Sequence, residues 1–343
     1  MLCLFVYVIS ERMVFIMISN QTEKIPDVTD EEWASVNLKN RKFVEEFLRE
    51  SVQLSPQTLK QYTSGLKIFF RYVKEILGNK HFSEIKPKDF LMYQNYLVRL
   101  GQSSAAIRLK RSSISSFNQY IESFYLEEFP NFRSFVTKKI PAPLQVFVNK
   151  KEPLTLEEYE HLCKELEKRE LWQPLAYLRF SFSSGARRGE VRALLKEVVN
   201  YEPKMSNNNT ISFLTHLIRC KGRGVQGKPR RLQFDIVAMN SIKKWLEIRG
   251  EDDCPFVFVS KEGSKHHQIS AETFNLWCQT YFEPIVGRRV HPHLFRETRA
   301  TTLVVEQGKD LKTAQKLLGH LSSVTTEAYI IRKDEDASDD AFS

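Results

Sequence analysis

Basic residues, histidines and one tyrosine recur at short, defined spacings in the second half of this sequence. Arg187 and Glu190 form an Arg-x-x-Glu group between two apolar helical segments. His293 and Arg296 form a His-x-x-Arg group, and residues three apart on a helix share a face. The remaining members of the series are a hairpin lysine, Lys221, then His320 in Leu-Gly-His, and Tyr329. Each group alone has a structural explanation, such as an Arg187–Glu190 salt bridge, so only their combination indicates a function.

These residue types together suit the cleavage of a phosphodiester without a metal ion. That reaction needs cations around the charged transition state, a nucleophile, and an acid for the departing oxygen. Guanidinium groups stay charged at any working pH, and their planar fork can bind two phosphate oxygens at once in a fixed geometry. An imidazole transfers protons near neutral pH because its reference pKa lies there.

In chain order, this series resembles the signature of the tyrosine site-specific recombinases of the phage-integrase type. The resemblance covers about residues 154–329 and extends more weakly back to Asn40. It implies that Tyr329 attacks DNA to form a 3′-phosphotyrosine while Arg187 and Arg296 hold the scissile phosphate. Lys221 matches the lysine that protonates the leaving 5′-oxygen, although Arg219, Arg223 and Lys228 on the same loop leave its register open.

The resemblance also assigns supporting tasks. His293 matches the acid/base histidine that assists the tyrosine, His320 would bind the phosphate, and Glu190 would orient the site. The sequence departs from the usual pattern after Arg296, where Glu297-Thr298-Arg299 places a carboxylate beside the phosphate-binding arginine. No required group is missing.

The partners that the resemblance implies are double-stranded DNA recombination sites and four protomers acting on two duplexes, with a Holliday junction as intermediate. Accessory DNA-bending proteins are a further partner class. No cofactor, metal or ATP is expected. The biological role is expected to be integration or excision of a mobile element or phage. The alternatives are Xer-like dimer resolution, DNA inversion, a type IB topoisomerase-like activity, and an inactive DNA-binding module.

Composition agrees with a nucleic-acid partner. The 343 residues carry 51 Lys and Arg against 42 Asp and Glu, a net charge of +9 despite an acidic end. Such a charge favours polyanions, because cations that neutralise phosphates release counterions. The five cysteines are scattered and never form Cys-x-x-Cys, which indicates reduced thiols in a cytoplasmic protein and no zinc site.

The apolar opening MLCLFVYVIS is interrupted by Glu11 and Arg12, so we expect no transmembrane helix and no membrane partner. A secretory signal, or an extension ahead of a start at Met13 or Met17, stays open.

The expected fold is mainly α with a small antiparallel β-sheet. Residues 1–37 are predicted as a flexible lead-in, 38–137 as a four-helix SAM-like core-binding bundle, and 138–153 as a linker. Residues 154–332 are predicted as the catalytic tyrosine recombinase domain, and 333–343 as an acidic tail. The linker is inferred from a stretch with two lysine pairs and prolines at 141 and 143.

Local patterns support this division. Ser55-Pro56 predicts a helix start, and the helix that follows carries an apolar stripe. The residues of that stripe are Leu59, Tyr62, Leu66, Phe69, Val73 and Ile76. Thr155 and Glu158 have capping-box spacing, and Thr210–Leu217 with Arg230–Phe234 predict a hairpin with a basic tip. The predicted DNA-contacting residues are Arg108, Lys110, Arg111, Lys138, Lys139 and Arg223.

Overall fold

The computed structural model describes residues 25–144, 152–205, 210–220, 222, 227–320, 322–327 and 330. The chain divides near residue 148 into two compact units. Tyr329, Lys221 and Arg223 lie outside the described residues, as do the predicted acidic tail (333–343) and the apolar opening.

The first unit is helical. Its elements are α1 (Asp30–Ala34), α2 (Leu38–Glu50), α3 (Pro56–Ile76), α4 (Pro87–Arg99) and α5 (Ser104–Phe124), with a 3-10 turn at Phe82–Glu84. Ser55 caps α3 by accepting a hydrogen bond from the backbone N–H of Thr58, and Pro56 occupies the first turn, as the sequence predicts. The four longer helices therefore correspond to the predicted bundle.

The core of this unit is rich in aromatic rings. In the predicted stripe of α3, Tyr62, Leu66, Phe69 and Val73 are buried, while Ile76 at the last turn is exposed. Phe69 packs edge-to-face on Tyr93 of α4, with ring centroids 5.0 Å apart. Such edge-to-face pairs are favoured over face-to-face sandwiches because the ring edge is positive and its face negative. The helices are thus held by aromatic contacts among their buried faces.

The bundle is larger than its predicted boundaries. Thr29 and Glu32 form a capping box at the start of α1, and Trp33 is buried in the aromatic core. The lead-in therefore contains a helix, because a buried indole anchors it. At the other end, Ile140 is also buried in this core, although the sequence favoured a linker from residue 138.

The second unit is also mainly helical. Its helices are α6 (Leu156–Lys168), α7 (Trp172–Ser184), α8 (Arg188–Arg192), α9 (Ile236–Arg249), α10 (Ala271–Trp277), α11 (Glu283–Val286), α12 (Pro292–Thr301), α13 (Leu311–Leu318) and α14 (Ser323–Glu327). A π-helical turn at Cys278–Phe282 joins α10 to α11, and another at Thr302–Glu306 extends α12. The predicted capping box at the start of α6 is present, since Thr155 and Glu158 exchange hydrogen bonds.

Short antiparallel strands complete the second unit. They are β1 (Lys204–Met205), β2 (Ile211–Leu214), β3 (Ile218–Cys220), β4 (Lys228–Arg230), β5 (Gln233–Asp235), β6 (Val259–Glu262) and β7 (Lys265–Gln268). The predicted hairpin is confirmed, but it bends into two pairings: β2 pairs with β5, and β3 pairs with β4. In the second pairing Ile218 lies opposite Arg230 and Cys220 opposite Lys228. The base of the basic loop is therefore fixed in register.

The packing of α7 against its neighbours organises this core. Its residues Leu175 to Ser184 include buried members on every side, with Tyr177 stacked on Phe274 at 4.3 Å between ring centroids. A helix that is apolar all round belongs inside a domain. The C-terminal end of α7 consequently lies deep in the fold, and the site described next begins there.

No helix among the described residues is long and apolar enough to span a membrane.

Candidate active site

Arg187 lies at a sharp turn between two helices. Gly185 ends α7 in the left-handed conformation (φ 60°), and Arg187 is the residue that precedes α8. The Arg187 backbone N–H donates to Glu190 Oε2 (3.0 Å), and its Nη1 donates to Glu190 Oε1 (3.0 Å). The salt bridge expected from the sequence is therefore present, and it fixes the direction of the Arg187 side chain.

Arg230, at the end of β4, reaches the same carboxylate. Its Nη2 lies 3.3 Å from Glu190 Oε2, while its Nη1 donates to the carbonyl of Leu317 (2.8 Å) and its Nε to Cys220 Sγ (3.3 Å). Burial alone would raise the pKa of the Glu190 carboxyl. The backbone N–H of Arg187 and the charges of Arg230 and Arg187 outweigh that effect and hold the pKa below its ordinary range. Glu190 is thus a buried anion that binds two arginines.

Arg230 was not identified from the sequence. On a hairpin rich in lysine and arginine, the sequence predicts that one further arginine is a solvated surface charge. Its strand partner distinguishes Arg230 from the other cations of the hairpin. The pairing of Arg230 with the buried Ile218 fixes its register beside Glu190. Sequence periodicity does not give that register.

Arg296, on α12, is fully buried. Its Nη1 donates to the carbonyl of Gly185 (2.5 Å) and its Nη2 to the carbonyl of Leu318 (2.6 Å). Those carbonyls belong to the turns that end α7 and α13, so one guanidinium joins two chain segments that are far apart in sequence. A guanidinium can do this because its five N–H donors form a rigid planar fork.

His320 follows α13 and lies against Arg296. Its Nε2 is 2.7 Å from Arg296 Nη2, and its Nδ1 is 3.0 Å from the hydroxyl oxygen of Thr326 on α14. Burial and then the charges of Arg296, Arg187, Arg230 and His293 lower the pKa of His320 to about 4. The ring is neutral at pH 7. These four side chains therefore lie near His320.

Gly319 lets the chain come close to Arg230. It ends α13 in the left-handed conformation (φ 65°), and a Cβ at this position would lie 2.8 Å from Cζ of Arg230. Glycine suits this position because L side chains rarely adopt the left-handed conformation and because a Cβ would push the Arg230 guanidinium aside. The Leu-Gly-His group therefore packs its glycine on one arginine and its histidine on another.

The remaining predicted site residues are His293, Lys221 and Tyr329. His293 is exposed on the first turn of α12, three residues before the buried Arg296. Lys221 and Tyr329 lie outside the described residues. A cavity of about 460 Å³ adjoins the cluster on the side of Arg230, and Arg299 and Lys316 are also among its lining residues. Five side chains of the predicted series, together with Arg230, thus meet in the second unit.

The carboxylate beside Arg296 does not disrupt the site. Glu297 points into a buried environment, and the Thr298 hydroxyl accepts a hydrogen bond from the backbone N–H of Leu154 (3.0 Å) while donating to the carbonyl of Leu294 (2.9 Å). Arg299 lies over the ring of Phe182, 5.7 Å from its centroid. This divergent segment therefore serves packing around α12.

Two of the predicted DNA-contacting arginines of the first unit bind their own chain. Arg111 donates to Gln94 Oε1 (3.1 Å) and to the carbonyl of Thr137 (3.0 Å). Arg108 is exposed, and its Nε donates to the carbonyl of Pro143 (3.0 Å). Lys138 and Lys139 are exposed, and burial lowers the pKa of Lys110. The contact of these residues with DNA stays a prediction.

The described residues contain no group of three or more side chains suited to hold a metal ion. His266 and His267 lie on β7, and they differ in environment as adjacent strand residues do. His266 Nδ1 lies 2.9 Å from Asp252 Oδ2, a carboxylate that is distant in sequence.

Comparison with known families decides the identity. The model of the phage integrase family matches residues 152–336, and that of the phage integrase N-terminal SAM-like domain matches residues 43–123. The chain belongs to the phage integrase family. It is a tyrosine recombinase by this membership, a class of DNA strand transferases.

Two recombinases are similar in sequence to this chain over most of its length. The SPbeta prophage-derived recombinase-like protein YomM of Bacillus subtilis is 30% identical over 330 residues, which cover 95% of this chain and 97% of YomM. Tyrosine recombinase XerC of Oceanobacillus iheyensis is 27% identical over 297 residues, covering 83% of this chain and 88% of that protein.

Solved structures share the fold of this integrase at low sequence identity. The site-specific recombinase XerH, bound to a palindromic difH substrate in a post-cleavage complex, aligns with a TM-score of 0.64 at 16% identity, over 93% of this chain and 97% of its own. A lambda integrase dimer (residues 75–356) on a COC′ core site aligns with a TM-score of 0.59 at 17% identity, over 85% and 95%. The expected fold class is confirmed.

Proposed function

We propose that this integrase cleaves one DNA strand at a specific site with Tyr329 and rejoins it to a second strand. The observation that carries the proposal is the convergence of Arg187, Arg230 and Arg296 around His320. Three guanidiniums in a partly buried setting form a receptor for a phosphate, because cations act more strongly where water is excluded.

The proposed reaction balances without a cofactor. The phenol oxygen of Tyr329 bonds to phosphorus as its proton passes to His293, and the bond between phosphorus and the 5′-oxygen breaks. Lys221 gives a proton to that departing oxygen. The product is a 3′-phosphotyrosine and a free 5′-hydroxyl, so the phosphoester bond energy is retained. A 5′-hydroxyl from the partner duplex then attacks the phosphotyrosine and releases the enzyme, without ATP or a metal ion.

The geometry supports a site in which each arginine is held in place before DNA binds. Arg296 is held by two carbonyls and one imidazole, and Arg187 and Arg230 are held by Glu190. Groups fixed before the substrate arrives need no reorganisation during the reaction, which is how preorganised sites stabilise developing charge. Glu190 is accordingly proposed to orient two phosphate-binding arginines.

The proposed role is integration or excision of a mobile element. YomM, which aligns over 95% of this chain, is named as prophage-derived, and this supports that role over dimer resolution. Four protomers on two duplexes, with a Holliday junction between the two strand exchanges, would complete the reaction. The sequence of trapped target DNA tests the role, because an element integrase should enrich inverted core sequences at element junctions.

The activity is tested by covalent trapping. Full-length protein, a Tyr329→Phe variant and a Tyr281→Phe control are incubated with a pool of nicked duplexes, followed by denaturing gels with and without protease. We expect a protease-sensitive adduct from the wild type and from Tyr281→Phe. The ring of Tyr281 packs against the core of the second unit. An adduct from Tyr329→Phe would show a different nucleophile. A wild type that binds the pool without forming an adduct, or that relaxes supercoiled DNA efficiently without paired sites, would contradict the recombinase proposal.

A further inference from the structure

Thr326 contacts the arginine cluster through His320. Thr326 lies on α14 and is fully buried, and its hydroxyl oxygen is 3.0 Å from His320 Nδ1. In the sequence it stands three residues before Tyr329. Its neighbour Thr325, on the same short helix, is exposed. A buried hydroxyl at this place joins the segment that leads to Tyr329 with the phosphate-binding centre.

The contact between Arg296 and His320 determines where the ring carries its proton. A guanidinium has five N–H donors and no acceptor, so Arg296 Nη2 can only donate across the 2.7 Å to His320 Nε2. Nε2 must therefore be unprotonated. A neutral imidazole has one proton, and it then lies on Nδ1, where it is donated to the Thr326 hydroxyl oxygen.

The electrostatic surroundings keep the ring in this neutral form. The three arginines near it, Arg296, Arg187 and Arg230, are cations and lower its pKa. A second proton on the ring would be repelled by each of them. Moving the single proton to Nε2 would instead place two N–H donors against each other, which opposes that tautomer.

We infer that Thr326 is a positioning residue, which accepts the Nδ1 proton of His320 and thereby keeps Nε2 as the acceptor that holds the Arg296 guanidinium. The inference rests on the proposed function, since it assigns Arg296 the scissile phosphate. In the chain without DNA, the imidazole in this arrangement orients an arginine. Fixing the tautomer of a ligand through the second ring nitrogen is the way in which outer hydrogen-bond partners orient histidines.

Three variants separate positioning from packing. Thr326→Val keeps the shape and removes the acceptor, Thr326→Ser keeps the hydroxyl, and Thr325→Val makes the same change on the exposed neighbour. The first readout is the ¹⁵N spectrum of the His320 ring in full-length protein without DNA. The second is the rate of adduct formation on the nicked duplex at saturating DNA.

We expect wild type, Thr326→Ser and Thr325→Val to show a protonated Nδ1 and an unprotonated Nε2. Thr326→Val should lose that pattern and cleave about 10- to 100-fold more slowly, the usual loss when an orienting partner is removed. Thr326→Ser should recover most of the rate. A wild-type ring protonated on Nε2, or a valine variant as fast as wild type, would overturn the inference.

The spectrum needs no DNA, so the two proposals fail separately. Absence of an adduct from wild type contradicts the recombinase proposal, whatever the tautomer. If Thr326→Val does not fold, the wild-type tautomer and the serine variant still decide, because a serine variant that cleaves about 10- to 100-fold more slowly than wild type contradicts the inference.

Discussion

Glu190 and Arg230 form an ion pair in the interior of the second unit, with Oε2 of the carboxylate 3.3 Å from Nη2 of the guanidinium. Because Glu190 also accepts two hydrogen bonds from Arg187, one carboxylate is shared by two cations. Such a pair matters less for net stability than for what remains when one member is lost, since an unpaired buried charge is costly.

Replacing Glu190 by glutamine should therefore loosen both arginines. Glutamine has one acceptor oxygen, and its NH₂ group would face a guanidinium donor. We expect Glu190→Gln to lower the free energy of unfolding by about 1–3 kcal/mol and to slow adduct formation. Urea unfolding measures the first effect.

A surface carboxylate provides the control for this change. Glu165→Gln removes a carboxylate that pairs with Arg169 and Lys168 on α6, and should change stability by less than about 1 kcal/mol. Equal losses in Glu190→Gln and Glu165→Gln would contradict the assignment. Because the folded pKa of Glu190 is lowered, its contribution is present above its ordinary pKa of 4.5 and is lost as pH falls below that value.

A methyl group at position 319 should disturb Arg230. Gly319→Ala combines left-handed backbone strain, about 1–2 kcal/mol, with a contact of 2.8 Å between the new Cβ and the Arg230 guanidinium. Gly287→Ala has the same kind of conformation (φ 77°) and open space around its Cβ, so it reports the strain alone. Unfolding midpoints should fall further for Gly319→Ala. Equal shifts would mean that Arg230 moves aside at no cost.

We expect that lysine cannot perform the function of Arg296. An ammonium group cannot bind the carbonyls of Gly185 and Leu318 and the imidazole of His320 with the same geometry. We expect Arg296→Lys to reduce adduct formation by about 100- to 1000-fold, as the loss of a preorganised charge-stabilising donor does. Single-turnover cleavage on the nicked duplex measures this effect.

A second buried arginine separates catalysis from stability. The Arg249 side chain is 1% exposed and binds Asp252 together with backbone carbonyls, away from the cluster. Like Arg296→Lys, Arg249→Lys should lower the free energy of unfolding, by about 1.5–3 kcal/mol. It should leave cleavage near the wild-type rate below the unfolding temperature. If both lysine variants lose cleavage equally, the effect of Arg296→Lys is one of stability.

Acid should weaken the fold through His320. Its pKa is about 4 in the folded chain against an ordinary value of 6.5, so between those values the unfolded chain binds a proton that the folded chain refuses. The stabilisation is full above pH 6.5 and declines as pH falls towards 4. We expect His320→Asn to show a smaller fall in melting temperature over that interval.

Part of the slope should persist in this variant, since burial also lowers the pKa of His81 and His216. The melting temperature of wild type and variant at pH 7.5, 5.5 and 4.5 measures the difference. Parallel slopes would mean that His320 titrates normally in the folded protein.

The sequence predicts those parts of the fold that depend on local rules. The cap at Ser55, the capping box at Thr155 and the buried stripe through Leu66 and Phe69 follow from hydrogen-bonding types and helical spacing, and the structure confirms them. The order of the site residues likewise predicts a family that the comparison confirms.

Features that depend on tertiary contacts could not be predicted in this way. The helix around Trp33 was missed because its anchoring contacts come from distant residues of the bundle. Arg230 was missed because its importance lies in a strand register and in the carbonyl of Leu317, which is 87 residues away. The internal hydrogen bonds of Arg108 and Arg111 were equally invisible, since a basic helix face has the same sequence whether it binds DNA or its own backbone.

The carbonyls that hold Arg296 lie at the C-terminal ends of α7 and α13, with Gly185 and Gly319 as the terminating residues. Aligned peptide dipoles give each helix end a partial negative charge of about half a unit. Two such ends facing one guanidinium can offset much of the cost of burying its charge. Unlike the side chain of an aspartate, a helix end cannot rotate towards the cation or take up a proton. The compensation of the Arg296 charge is therefore set by the backbone, and it should vary little with pH.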